Sequence, residues 1–158
     1  MGRIMTSRPT REGCSMVIQE GDDRLEIDVV DQFQSHSSPN RDVELSVEVS
    51  SAGFRGHGFA WISADAIAGF LTQLRELENR RQGSAELRGD SAEEFRLRFW
   101  SVNGRGHVAV GGVVTKQVHR GEGSPYPHRV EFGFEFDPTS LPTILSEFRK
   151  IQGSTAKT

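Results

Sequence analysis

The chain is predicted to fold as a single α+β domain: a mostly antiparallel, twisted sheet of about 7–8 strands, with two helices packed on one face. Three observations predict it. Strand-like alternation comes in runs broken by tight turns, which implies hairpins rather than helical crossovers. His57–Leu77 and Glu131–Ile151 repeat one strand-into-helix phrase, giving a β-β-β-β-α layout run through twice. Finally, 158 residues are enough to bury roughly two-thirds of the unfolded surface around one core.

Taken in order, residues 1–15 mix Arg, Thr, Ser, Gly and Pro without periodicity and are expected to be a disordered leader. The domain is expected over 16–152, with 153–158 a disordered tail. Met16-Val17-Ile18 and the alternating Leu25, Ile27 and Val29 flank the turn Gly21-Asp22-Asp23, a hairpin signal. Gln34–Asp42 reads as a polar loop. Val43, Leu45, Val47 and Val49 then alternate with Glu44, Ser46, Glu48 and Ser50, the pattern of a half-buried strand. Gly53 opens a turn into Phe54–Ile62. Ser63 caps the first helix, expected over about 63–82, with Asp65 in its first turn. Ile67, Phe70, Leu71, Leu74 and Leu77 form one apolar stripe, and Gly83 is a natural stop.

The second half repeats this order. Ser84–Arg88 reads as a short strand, and Phe95, Leu97 and Phe99 alternate with Arg96, Arg98 and Trp100. Gly104–Val118 is a glycine-rich strand, and Arg120–His128 a loop. Val130, Phe132, Phe134 and Phe136 alternate with Glu131, Gly133 and Glu135 in the last strand. Asp137 caps the second helix, expected over about 138–152, with Pro138 at the tolerated first position. Overlaying the repeats sets Ile62 on Phe136, Ser63 on Asp137, and Ile67, Leu71, Leu74 and Leu77 on Leu141, Leu145, Phe148 and Ile151.

Composition narrows the function classes. A net charge of −3 and a pI near 6.0 speak against nucleic-acid binding, which favours a basic domain. No apolar run approaches the roughly 20 residues that span a bilayer, so no membrane partner is expected. The single cysteine, Cys14, excludes an internal disulfide and fits a reducing cytoplasm. His36, His57, His107, His119 and His128 lack metal-ligand spacing, so neither metal nor cofactor is expected. Gly104-Arg105-Gly106 precedes a strand rather than a helix, against a phosphate loop. No nucleophile elbow or diagnostic acid pair is found, and no enzyme activity is expected.

Two clusters are candidate binding surfaces. Parity turns Ala60, Ile62, Phe134 and Phe136 toward the helices and sets His57, Phe59, Trp61, Trp100, Glu131 and Glu135 on the opposite face. Large aromatics beside charges suit an interface; the alternative is that a sandwich or strongly curved sheet buries them in a second core. The other cluster is acidic: Glu20, Asp22, Asp23, Glu26, Asp28 and Asp31 stand against Arg24 alone. It is either the solvated face of a hairpin or a surface that attracts a basic partner.

Gly53-Phe54-Arg55-Gly56, Ile62-Ser63-Ala64-Asp65 with Phe70-Leu71 and Leu74, Gly83-Ser84-Ala85-Glu86-Leu87, and Phe134-Glu135-Phe136-Asp137-Pro138-Thr139-Ser140-Leu141 together resemble the WapI-type immunity proteins. The resemblance covers most of Val43–Ile151. It implies a cytoplasmic antidote that binds and blocks a bacterial toxin, such as a nuclease with a basic cleft, without catalysis. The alternative reading is a small-ligand- or metal-binding domain on the aromatic face. An open sheet edge or face also allows a homodimer.

Overall fold

The computed structural model describes residues 15–34, 41–91 and 93–153. Alternating apolar residues form β1 (Ser15–Glu20), β2 (Asp23–Gln34), β3 (Arg41–Ser51) and β4 (Phe54–Ile62), an antiparallel meander paired in chain order. The chain then enters α1 (Ala64–Arg80). A second meander comes next: β5 (Ser84–Arg88), β6 (Phe95–Ser101), β7 (Val108–Val118) and β8 (Tyr126–Phe136). A short 3-10 turn at Pro138–Ser140 leads into α2 (Leu141–Gly153).

The α+β class and the doubled layout stand; the single sheet does not. Among the described residues, eight strands divide into two sheets of four. Period-two alternation tells a strand which side is inward, not which neighbour shares its ladder, so one sheet and two fit the same pattern. Smaller differences also come from pairing. β7 and β8 pair as far as Val118 with Tyr126, so the loop foreseen over Arg120–His128 is shorter. The first helix ends at Arg80, where Arg81 takes the left-handed cap (φ 53°) before Gly83 is reached. Ser15 and Gly153 lie within β1 and α2; the rest of the expected leader and tail falls outside the described residues, as does most of the loop foreseen between β2 and β3.

One core joins both repeats. Met16, Ile18, Leu25, Ile27, Val43, Leu45, Val47, Val49, Ala60 and Ile62 enter it from the first sheet. Ala85, Leu87, Phe95, Leu97, Phe99, Val108, Val110, Val114, Phe134 and Phe136 enter from the second. The helical stripes close it: Ile67, Leu71, Leu74 and Leu77 of α1 and Leu141, Leu145, Phe148 and Ile151 of α2 are all buried. At the centre, Phe70 meets Phe148 edge-on at 4.8 Å and Phe99 at 6.0 Å. Phe99 in turn meets Phe136 and Phe148 edge-on at 5.9 and 6.4 Å, separations at which aromatic pairs attract beyond simple burial.

The two sheets touch where side chains are absent. The inner face of β4 carries Gly56 and Gly58, and a Cβ on Gly58 would lie 2.9 Å from the Thr115 carbonyl oxygen of β7. One on Gly56 would lie 2.8 Å from a Val130 methyl of β8. The repeats are further tied by the Asp90 N–H, which donates to the Trp61 carbonyl at 2.8 Å. Gln73 of α1 accepts from the Glu86 N–H at 2.9 Å, so the first repeat's helix satisfies part of the second sheet's open edge.

Ser63 caps α1 as its sequence indicates, whereas Asp137 caps the 3-10 turn Pro138–Ser140, and α2 begins at Leu141 rather than near 138. Ser63 Oγ accepts from the Ala66 N–H at 3.1 Å. Asp137 accepts from the Thr139 N–H at 2.9 Å and the Thr139 hydroxyl at 2.8 Å. These bonds, the backbone one foremost, hold the Asp137 carboxyl below its ordinary 3.8.

Three outcomes test this packing and capping. Gly58→Ala should destabilise the protein by about 1–3 kcal/mol in urea unfolding, because backbone blocks the added methyl. Gly69→Ala, on an exposed helix position with open space around it, should instead stabilise it by about 0.5–1 kcal/mol. In an NMR titration, Asp137 should ionise with a midpoint below 3.8, and Thr139→Val should raise that midpoint. Because the folded value is depressed, the cap's contribution is present at neutral pH and lost as pH falls through that midpoint.

Candidate functional site

With both inner faces turned to the shared core, each sheet presents its outer face to solvent. On the first sheet, the register lays the outer residues in rows. Asp28, Ser46 and Phe59 are cross-strand partners; so are Glu26, Glu48 and His57; so are Asp31, Glu44 and Trp61. Phe59 is 50% and Trp61 37% exposed, so no second core covers them. His57 shares a hydrogen bond of 2.8 Å with Ser46 and packs its ring 5.0 Å from that of Phe59.

The charges on this face are unevenly matched. Glu26 and Glu48 stand directly opposite one another, a repulsive arrangement relieved by Arg24, at 3.2 Å from Glu26, and by Arg55 on Glu48. Asp28 and Glu44 have no ion pair among the described residues. Sequence reasoning missed Glu44 and Phe33, both on this face. Between Val29 and Asp31 the register shifts by one residue, a bulge that reverses parity. Asp31 and Phe33, which strict alternation from Ile27 would send inward, therefore face out, and Phe33 is 59% exposed. The one legible sign was the break in alternation at Val29-Val30.

The expectation that His57, Phe59 and Trp61 share a face with Trp100, Glu131 and Glu135 is corrected by the division into two sheets. Trp100, Ala109 and Glu135 form one row on the outer face of the second sheet, and Arg96, Val113 and Glu131 another. Trp100 lies over the cross-strand pair Gly111 and Gly133, with the Arg98 guanidinium carbon 5.2 Å from its ring centre. The acidic cluster divides too. Asp22 sits exposed in the β1–β2 turn, while Asp23 accepts from the Ser51 hydroxyl at 2.6 Å. Asp23 lines a cavity of about 730 Å³ with Glu20, His107 and Glu135. No group of three or more His, Cys, Asp or Glu able to hold a metal is found among the described residues; Cys14 and His36 lie outside them. No described helix is long and apolar enough to cross a membrane.

Residues 16–152 match the model of the immunity protein WapI-like family. The chain belongs to that family. No curated protein and no solved structure matches it. In this WapI-like chain, the segments that carried the resemblance are largely scaffold. Ile62, Phe70, Leu71, Leu74, Leu87, Phe134, Phe136 and Leu141 are buried, and Ser63 and Asp137 are caps. They account for the fold and leave the outer faces to be read on their own chemistry.

Since Phe59 and Trp61 support little of the WapI-like core, Phe59→Ala and Trp61→Ala should each leave the protein folded, at a stability cost below about 1 kcal/mol by urea unfolding. Phe99→Ala, at the centre of the aromatic cluster, should cost about 3–5 kcal/mol.

Proposed function

We propose that this WapI-like chain is a cytoplasmic immunity protein that binds a cognate bacterial toxin domain and occludes it, without catalysis of its own. Family membership carries the reading. The outer face of the first sheet supports it: exposed aromatics stand beside Asp28 and Glu44, carboxylates that no guanidinium among the described residues neutralises. Trp, Phe and Tyr anchor interfaces by burying large, stiff side chains. Unpaired carboxylates around such anchors favour a basic partner surface, such as the cleft of a nuclease, and speed its approach.

The division of labour on this face rests on position. Phe59 and Trp61, with Phe33 two strands away on the same face, would supply buried area and set the dissociation rate. Asp28, Asp31 and Glu44 would supply field and set the association rate. His57 is held by Ser46, which orients its ring against Phe59 before any partner arrives and lowers the ordering cost of binding.

The test is to express the chain with the toxin encoded beside its gene. One-to-one binding and rescue of growth are expected; a neighbouring toxin that neither binds nor is neutralised would sink the proposal. The double variant Asp28→Lys/Glu44→Lys should slow association by about tenfold or more at low salt, with the difference shrinking as salt is raised. Trp61→Ala should instead act through a faster dissociation rate, read by the same surface-binding kinetics.

A further inference from the structure

The outer face of the second sheet holds two features that weaken a sheet unless something uses them. Arg88 and Arg96 are direct cross-strand partners, and like charges so placed repel. Gly111 and Gly133 are likewise partners at the middle of the β7–β8 ladder, with Gly112 next to them. Glycine inside a strand gives up packing and commonly marks a close approach by a ligand or another backbone.

Part of the glycine requirement is internal. A Cβ on Gly111 would lie 2.6 Å from the Phe132 carbonyl oxygen and 3.0 Å from the Trp100 indole, and one on Gly112 would collide with the Arg96 carbonyl oxygen. The consequence is a bare floor on which Trp100 rests. Arg98 sits beside that ring, its guanidinium carbon 5.2 Å from the centre, which orients its donors in advance. Over this floor is a cavity of about 390 Å³ lined by Glu86, Arg88, Arg96, Arg98, Trp100 and Glu131.

The charges there are unequal. Glu86 is taken by Arg88 at 2.7 Å. Arg96 has no ion pair among the described residues, and the contact of Arg98 is with an aromatic ring rather than a carboxylate. Two guanidiniums on one strand face thus retain free donors above the floor, and three arginines against two glutamates leave the lining at +1. We infer that this trough is a recognition site for an oxyanion, a phosphoryl or carboxylate group, carried on a small ligand. Guanidinium forks match either group through paired N–H donors. The volume is in the range of small-molecule sites. The flanking Glu86 and Glu131 repel a polyanion, so a single oxyanion fits better than a nucleic-acid strand. The site lies on a different sheet from the toxin-facing surface, and the two readings stand or fall separately.

The experiment is an NMR titration of the full chain at low ionic strength with inorganic phosphate, adenosine monophosphate and citrate. At least one probe should produce saturable shifts in the Trp100 indole N–H and the Arg96 and Arg98 Nε–H signals. Which probe binds distinguishes a phosphoryl from a carboxylate ligand. Arg96→Gln and Arg98→Gln should each weaken binding by about tenfold or more, with thermal melts checking that both stay folded. Arg96→Lys, which keeps the charge and loses the fork, is the second variant should a glutamine substitution unfold the chain, and it too should bind more weakly. No saturation with any of the three probes, or affinity unchanged in the folded variants, overturns the assignment.

Discussion

The rest of the structure depends on the aromatic contact among Phe70, Phe99, Phe136 and Phe148. Phe70 comes from the helix of the first repeat, Phe99 and Phe136 from the strands of the second, and Phe148 from its helix. A core owned jointly by both repeats leaves neither with a complete apolar interior of its own. The glycines of β4 serve the same end. By omitting side chains where β4 crosses β7 and β8, they let the inner faces close at one side while the helices fill the other.

That shared interior separates the outer faces. The inward residues are claimed by one core, so the alternate residues form two outer faces of different chemistry, covered in part on the second sheet, where Ala109 and Val113 are buried. The first sheet presents carboxylates with Phe59, Trp61 and Phe33; the second presents arginines around Trp100 over a glycine floor. A net charge of −3 conceals this division, because the sum says nothing about sidedness. The scaffold of this family member thus leaves two outer faces of different chemistry, one acidic and aromatic and the other rich in arginine.

Much of the scaffold was legible because it is local. Ser63 and Asp137 announce helix starts by hydrogen bonds to residues two or three places on. The stripes from Ile67 to Leu77 and from Leu141 to Ile151 need only helical spacing to be read as buried. Even the outward side of His57, Phe59 and Trp61 is set by alternation with Ala60 and Ile62. The failures are equally specific. Phe33 was passed over because one extra residue at Val30 reverses the parity of the remainder of β2 and turns it outward. Arg96 and Arg98 were seen only as the polar half of a strand, since nothing in Phe95–Ser101 reveals that Gly111 and Gly133 lie beside Trp100.

The amino-acid sequence by itself determined the elements, their inward and outward sides, their caps, and the repeat that organises them, because each rests on interactions within a few residues of chain. Only the tertiary structure decided that eight strands make two sheets, that the candidate residues divide between two faces, and that arginines, a tryptophan and bare glycines meet over one trough. Those outcomes depend on register, on a bulge, and on which strands cross face to face. They are set by contacts between residues far apart in the chain, where a local pattern carries no information.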